Sequence, residues 1–238
     1  MTTLLRAPYD TYMPRRQLQV LAVLAALAIT LITSCGTGAE QRLALPDGAR
    51  LLADSATAMQ TVTSTRFTLD VGGNVPGIPL RSADGRLTKE GSAKGTAKLN
   101  QGTQVVELEF VILGETIYLR PPTGPVQKLP LSLAGAVYNP SVILDPDRGV
   151  AAVLASGKEP TTEAREQANG VDSYRVRVNF PAQPLSTLIP GPAQDKTGQV
   201  WIAVDGSRLV QAQFPATDGT ITVRFSEYDV PVEITAPA

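Results

Sequence analysis

The sequence predicts an α+β fold in which a long, twisted antiparallel sheet packs a few apolar helices against one face. Apolar and polar residues alternate along many short segments, as they do in half-buried strands. Connections between these segments are short and rich in turn residues, which favours antiparallel neighbours. Helical periodicity is confined to one segment before the strands and to short apolar stretches in the middle of the chain.

A helix is predicted at the start of the folded domain. Asp47 has the side chain of a preferred N-cap residue. The residues of one helical face recur after it at three- and four-residue steps. They are Leu51, Leu52, Ser55, Met59 and Val62.

Strand segments follow from Thr65 onward. In each of them apolar residues occupy every second position, so each strand is expected to bury one face. A further extended stretch ends near Thr88, and Asp205-Gly206 and Asp218-Gly219 predict tight hairpin turns. The alternating apolar residues are Phe67, Leu69, Val71, Val106, Leu108, Phe110, Ile117, Leu119, Tyr174, Val176, Val178, Val200, Ile202, Val204, Val210, Ala212, Phe214, Ile221, Val223 and Phe225.

Two short helices are predicted between the two groups of strands. Asn139-Pro140 and Asp145-Pro146 each combine an N-cap residue with the proline that favours the first helical position. The second helix is almost wholly apolar, stops at Gly157 and carries Val150, Val153 and Leu154. One more helical turn is expected over residues 184–189.

The segment 92–99 has an unusual inward face. Its lysines, Lys94 and Lys98, must face water, which turns the small residues between them inward. An inward strand face in a filled core normally carries bulky aliphatic residues, because protein interiors pack densely. Either a closely packed helix or a lipid tail would fill the space. The residues of this face are Ala93, Gly95, Ala97 and Leu99.

Composition excludes several function classes. The chain of 238 residues contains no histidine, which excludes Ser-His-Asp and Cys-His nucleophile systems and histidine metal sites. A single cysteine, Cys35, leaves no intrachain disulfide and no thiolate zinc site. The 21 basic and 22 acidic residues provide no surplus of positive charge, so nucleic acid is not an expected partner. We expect that the protein binds no cofactor and is not an enzyme.

The N-terminal residues 1–34 have the pattern of a secretory signal peptide. Arg15 and Arg16 precede an apolar run over 18–32, and small residues follow directly before Cys35. This pattern is typical of a bacterial lipobox, which predicts that the chain is cleaved before Cys35 and acylated there. The alternatives are a lone buried cysteine and an uncleaved anchor, since residues 17–39 are uncharged. The residues before Met13 are atypical of a signal, so translation is expected to begin at Met13.

The predicted domains are therefore a signal peptide over 1–34, a tether over 35–44 and one folded domain over 45–238. Three segments of this domain carry a family resemblance: 71–80 (VGGNVPGIPL), 137–155 (VYNPSVILDPDRGVAAVLA) and 200–213 (VWIAVDGSRLVQAQ). Together, in this order behind a lipobox, they resemble the LppX/LprA/LprF/LprG family of mycobacterial and related actinobacterial lipoproteins, most closely its LprG and LprA members. Tyr228 departs from the family, in which we expect tryptophan.

The resemblance implies an open half-barrel, similar to bacterial lipoprotein carriers, whose sheet wraps around helices and encloses an apolar cavity for multiacylated lipids. It also implies transport of lipids or glycolipids from the inner membrane toward the outer envelope by an exported protein anchored to the outer face of the cell membrane through acylated Cys35. A lipid-exporting transporter is a further expected partner. The bound di- or triacylated lipid or glycolipid would be a ligand, not a cofactor.

The alternation pattern by itself favours a filled core, whereas the resemblance favours a cavity. Burial of lipid methylenes stabilises binding by about 0.8 kcal/mol each, so a carrier needs no catalytic group. The alternative is a non-catalytic envelope scaffold or adaptor with a filled core. The residues predicted to line the cavity are Ala93, Gly95, Ala97, Leu99, Val106, Leu108, Phe110, Ile117, Leu119, Val176, Val178, Val150, Val153 and Leu154.

Overall fold

The computed structural model describes residues 44–73, 75, 79–102, 104–133, 140–188, 194–216 and 218–237. The chain divides into two compact units, 1–44 and 45–238, and the fold described below is that of the second unit. The signal peptide, Cys35, the expected start at Met13 and the tether up to residue 43 all lie outside the described residues.

The first helix, α1, spans Gly48–Gln60. Its predicted N-cap is confirmed, because the Asp47 side chain accepts a hydrogen bond of 2.8 Å from the Arg50 backbone N–H. The buried face of α1 includes Leu51, Leu52 and Met59. This face is the one that the three- and four-residue spacing predicted.

Eleven strands make up one sheet within the described part of the chain. All strand pairs are antiparallel. The strands are β1 Ser64–Gly73, β2 Leu80–Thr88, β3 Ala93–Gln101, β4 Gln104–Leu113, β5 Thr116–Arg120, β6 Gln127–Pro130, β7 Lys158–Ala168, β8 Val171–Phe180, β9 Lys196–Ala203, β10 Leu209–Ala216 and β11 Gly219–Ser226.

The spatial order of the strands is β6-β5-β4-β3-β2-β1-β11-β10-β9-β8-β7. Every neighbouring pair except β1 and β11 is also adjacent in the chain, so two meanders meet at one seam. Phe67 pairs with Phe225 in this seam, and Asp70 pairs with Thr222. Because β6 and β7 lie at the two edges and do not pair with each other, the sheet is open and does not close into a barrel. The predicted α+β fold class is confirmed.

Short helices occupy the connection between the two meanders. A 3₁₀ turn spans Leu131–Leu133, α2 spans Pro140–Ile143 and α3 spans Val150–Ala155. The predicted start at Pro140 is confirmed, while Asn139 lies outside the described residues. The last helix, α4, spans Ala182–Ser186 and so begins two residues before the expected turn at Pro184.

The predicted start of α3 at Pro146 is wrong. Asp145 Oδ1 accepts hydrogen bonds from the backbone N–H groups of Asp147 and Arg148, at 2.9 and 3.0 Å. The carboxylate therefore caps a turn, and the helix begins only at Val150, after an extended Gly149. The expected stop near Gly157 is confirmed, since α3 ends at Ala155.

Candidate functional site

The inner face of the sheet is the face that packs against α1 and α3. Cross-strand register identifies its members, because directly paired residues point to the same side. One row of directly paired residues runs across six strands. Two adjacent glycines lie in the middle of this row, with a phenylalanine on either side of them. The row is Leu119, Phe110, Gly95, Gly85, Phe67 and Phe225.

Part of this inner face is fully packed. Val176 and Val178 of β8 have exposed fractions of 0% and 1%, and Ile117 of β5 is also fully buried. Helix α3 contributes its buried residues to the same core cluster. The predicted cavity residues that belong to this packed core are Ala93, Ile117, Val150, Val153, Leu154, Val176 and Val178.

Another part of the inner face is less covered. Five predicted cavity residues on β3, β4 and β5 are only half-buried, although their register places them on the face that carries the packed core. We call these five residues the apolar patch: Leu99, Val106, Leu108, Phe110 and Leu119. Of the small residues beside the patch, Ala93 and Ala97 are buried and Gly95 is half-buried.

A pair of glycines brings two strands unusually close beneath the patch. Gly95 pairs directly with Gly85, and Ala97 with Ala83. A β-carbon built on Gly95 would lie 2.1 Å from the carbonyl oxygen of Asp84. Glycine is therefore required at position 95 by the neighbouring backbone, a reason that alternation alone did not reveal.

The list of predicted cavity residues left out Phe67, although alternation placed it on an inward strand face, and it left out Leu129. Phe67 and Leu129 are half-buried and pack against the core cluster. Gly85 belongs to an alternating series, Ala83, Gly85 and Leu87, that repeats the small-residue face of the next strand. That series was the available signal, because the register of a hairpin places such faces side by side.

A surface groove of about 390 Å³ lies elsewhere, between α1, α3 and the start of β7. Its walls are mainly small residues on the exposed side of α1, including Ala49 and Ala53. Leu154 is the only predicted cavity residue among those that line it. The groove contains no residue of β1–β6, so it is separate from the apolar patch.

The outer face of the sheet is charged. Glu107 and Glu109 are exposed there, and they form ion pairs with Lys98 at 3.3 Å and Arg120 at 3.9 Å. Such exposed pairs contribute little to stability. They do show that alternate residues of β4 face water while Leu108 faces inward.

Glu163 joins several polar side chains on the outer face of β7–β9. Burial raises the pKa of its carboxyl, but hydrogen bonds from Gln199 and Arg177 and the charge of Arg175 outweigh burial and hold the pKa below its usual value. Arg175 also donates to Glu166, at 3.0 Å, and the Trp201 indole N–H donates to the same carboxylate, at 2.7 Å. An ionised Glu163 in this setting is an ion-pair partner, not a proton donor.

Tyr228 lies immediately after β11 and packs against the core cluster. Its hydroxyl donates to the Leu209 carbonyl oxygen, and the guanidinium of Arg208 lies 4.9 Å from the ring centre. Burial raises the pKa of the Tyr228 hydroxyl above its usual value. The Tyr228 side chain therefore has a polar anchor that phenylalanine would lack.

The described residues contain no cluster of three or more side chains suited to hold a metal ion. No helix in the described part of the chain has the length and apolar character needed to cross a membrane.

Comparison with known proteins gives the family. The profile of the LppX_LprAFG lipoprotein family matches residues 47–234. The chain is 36% identical over 235 residues to the lipoarabinomannan carrier protein LprG of Mycolicibacterium smegmatis, covering 94% of this chain and 98% of that protein. It is 30% identical over 232 residues to LprG of Mycobacterium tuberculosis, with the same coverage of 94% and 98%.

The fold agrees with a solved structure of the same family. The crystal structure of LprF from Mycobacterium bovis superimposes with a TM-score of 0.73 at 26% identity, covering 82% of this chain and 98% of that one. Because the family profile spans nearly the whole second unit and the relatives align along almost their full length, this chain belongs to the LppX_LprAFG lipoprotein family.

Proposed function

We propose that this protein is an exported lipoprotein of the cell envelope that binds a di- or triacylated lipid or glycolipid on the apolar patch and carries it across the envelope. Relatives that align along nearly their whole length are named lipoarabinomannan carrier proteins, which supports a lipid ligand. Under this proposal Cys35 is acylated and anchors the domain on the outer face of the cell membrane, and a lipid-exporting membrane transporter delivers the ligand.

One observation carries the ligand assignment. Leu108 and Val178 both lie on the inner face of the same sheet, yet Val178 is fully buried whereas Leu108 remains half-buried. Contiguous apolar surface that a chain does not cover itself is typical of a ligand or partner site. Acyl chains suit it, since they bind without a directional polar group and each buried methylene contributes about 0.8 kcal/mol.

The proposed role is non-catalytic, and the same chemistry supports it. The chain has no histidine, and the half-buried residues that form the patch are all aliphatic or aromatic hydrocarbons. Binding and release of an intact lipid require no proton transfer or nucleophile. An esterase that acts on envelope lipids would instead release free fatty acid from the bound ligand.

Organic extraction of the purified soluble domain, produced from residue 36 onward so that it carries no anchor, tests the proposal. Mass spectrometry is expected to recover a di- or triacylated lipid at close to one molecule per protein. An extract that contains no lipid, obtained from a folded domain, would overturn the lipid-carrier proposal and favour the scaffold with a filled core.

Two variants of neighbouring residues on β4 localise the ligand. Leu108→Gln places an amide on the apolar patch and is expected to reduce recovered lipid at least about fivefold, because a buried unpaired amide costs about 1–3 kcal/mol. Glu107→Gln makes an equally polar change on the outer face and should leave recovery unchanged. Equal lipid recovery from both variants would exclude the patch as the site.

A further inference from the structure

The two ends of the sheet differ in how well the inner face is covered. We call the end at which β3 finishes and β4 begins the mouth end, and the opposite end the closed end. Leu99 and Val106 of the apolar patch lie within two residues of the mouth end. At the closed end, Ala93 and Ile112 are buried, with exposed fractions of 2% each. The apolar patch therefore opens toward the mouth end.

Helix α2 explains the cover at the closed end. A β-carbon built on Gly91, in the turn between β2 and β3, would lie 2.5 Å from the β-carbon of Ser141 in α2. Leu144 follows this helix and is buried in the core cluster. Lipid could therefore reach the inner face more readily from the mouth end.

The N-terminal segment joins the domain in the mouth half of β7. The Pro46 carbonyl oxygen accepts a 2.7 Å hydrogen bond from the Thr162 hydroxyl. A β-carbon on Gly48 would lie 2.8 Å from the Pro160 carbonyl oxygen. Pro160 and Thr162 are among the first five residues of β7, which starts at the mouth end.

The tether is short. Ten residue steps separate Cys35 from Leu45, the first residue of the folded unit. A fully extended chain of that length reaches about 35 Å, which is close to the length of one ten-residue strand. An acylated Cys35 would therefore hold Leu45 within about 35 Å of the bilayer.

Charge distinguishes the two ends in the same sense. We count the charged residues in the described turns and in the two terminal positions of each strand. The mouth end then carries five cations against three carboxylates: Arg81, Arg120, Lys128, Lys158 and Lys196, with Glu159, Asp195 and Asp218. The closed end carries three cations against six carboxylates: Lys89, Lys94 and Arg208, with Glu90, Glu115, Asp172, Asp205, Glu227 and Asp229. An anionic lipid surface attracts the first set and repels the second.

An exposed proline-rich loop completes the mouth end. Residues 121–126 join β5 to β6, and Pro122 and Pro125 in this loop are exposed. Proline rings restrict the backbone, so the loop can contact a surface with little loss of conformational entropy.

We propose that the mouth end is the face that contacts the anionic phospholipid bilayer in which Cys35 is anchored, so that lipid passes between that bilayer and the apolar patch without crossing water. This inference rests on the proposed function. It adds the orientation of the domain and commits to a lipid surface, rather than a second copy of the chain, as the partner of the mouth end.

Quenching by brominated lipids tests the orientation. The acylated full-length protein is reconstituted in phosphatidylcholine–phosphatidylglycerol vesicles whose acyl chains carry bromine. Trp201, the single tryptophan, is replaced by phenylalanine, and one reporter is introduced at an exposed, uncharged position of each end. Thr123→Trp reports on the mouth end and Val171→Trp on the closed end.

Fluorescence of the Thr123→Trp reporter is expected to fall at least about twofold more than that of Val171→Trp, because bromine quenches only at short range within the bilayer. Replacing phosphatidylglycerol with phosphatidylcholine should weaken this quenching. Equal quenching of both reporters, stronger quenching of Val171→Trp, or quenching of neither would each overturn the orientation. So would a Thr123→Trp reporter shielded by self-association of the protein, which would identify a second copy as the partner.

Two measurements on the same samples separate this inference from the proposed function. Lipid extraction tests carriage directly, so lipid recovered from a protein whose mouth reporter is not quenched overturns the orientation alone. The intact mass of the protein shows whether Cys35 is acylated. A mass without acyl chains overturns the orientation, because the tether then does not attach the domain to the bilayer. A quenched mouth reporter on a protein that carries no lipid overturns the carrier function but leaves a membrane-facing end.

Discussion

Gly95 and Gly85 face each other across β3 and β2 at a separation that leaves no room for a side chain on either. A β-carbon on Gly95 would lie 2.1 Å from the Asp84 carbonyl oxygen, and one on Gly85 would lie 2.5 Å from that of Lys94. Both obstacles are backbone atoms, which cannot move aside as a side chain can. Phe110 pairs with Gly95 and Phe67 pairs with Gly85, so two large rings flank a pair of residues that have no side chains.

Gly95→Ala is expected to destabilise the fold by about 1–3 kcal/mol, because β2 and β3 must separate to admit the methyl group. The midpoint of urea unfolding measures the change. Gly72→Ala is the matched control, since a β-carbon there would lie 3.7 Å from the nearest atom, the Thr220 carbonyl oxygen. Equal midpoints for the two variants would show that the strands separate freely.

Ala97→Trp is expected to abolish lipid recovery while the melting temperature stays close to that of the parent protein. The new ring would occupy the space beside Leu108, the direct neighbour of Ala97 on β4. In a filled core the same overpacking would cost about 1–3 kcal/mol and lower the melting temperature. Thr96→Trp, on the exposed outer face, is the control and should retain lipid. A strongly lowered melting temperature for Ala97→Trp, or normal lipid recovery, would exclude position 97 from the site.

Tyr228→Phe is expected to lower stability at neutral pH by about 1 kcal/mol, because the Leu209 carbonyl oxygen loses its hydroxyl donor. The variant should also lose less stability in alkali. Burial raises the pKa of Tyr228 in the folded state, so its contribution is complete below the unfolded-state pKa of about 10 and declines as the pH rises beyond it.

Thermal melts between pH 7 and pH 11 measure both effects of Tyr228→Phe. Tyr118→Phe, on the outer face of β5, is the control for removal of a tyrosine hydroxyl. If the two variants show the same alkaline dependence as the parent protein, Tyr228 does not contribute to it.

Cys35→Ser is expected to abolish membrane anchoring, because serine cannot form the thioether to the diacylglycerol that processing of a lipoprotein precursor requires. Detergent phase separation should move the variant from the detergent phase to the aqueous phase, or leave it as an uncleaved precursor. Intact mass distinguishes these two results. A serine variant that still carries acyl chains and enters the detergent phase would contradict acylation at Cys35.

Alternation identified the central strands because each buries one face. β1 and β4 contribute Phe67 and Phe110 to the inner side, and the residues directly before these two phenylalanines, Arg66 and Glu109, are charged and face outward. β7 was not predicted, since it is an edge strand whose segment KEPTTEAREQA contains no alternating run of large apolar residues. Its register also shifts twice against β8, which breaks the two-residue period.

The site was predicted in part for the same reason. Alternation placed Leu108 and Val178 on the inner face correctly, but it could not tell that α3 covers Val178 while Leu108 remains less covered. Coverage depends on where helices distant in sequence pack, and local periodicity does not encode it. The close approach at Gly95 depends likewise on the neighbouring strand.

The seam between β1 and β11 has a consequence for how the protein folds. Each meander is built from hairpins whose partners are close in sequence, so loop closure within a meander costs little entropy. The seam instead joins Phe67 to Phe225, across 158 residues, and is the contact of longest range in the sheet. We expect the two meanders to form first and the seam to close last, so that the inner face becomes one continuous surface only in the final step of folding.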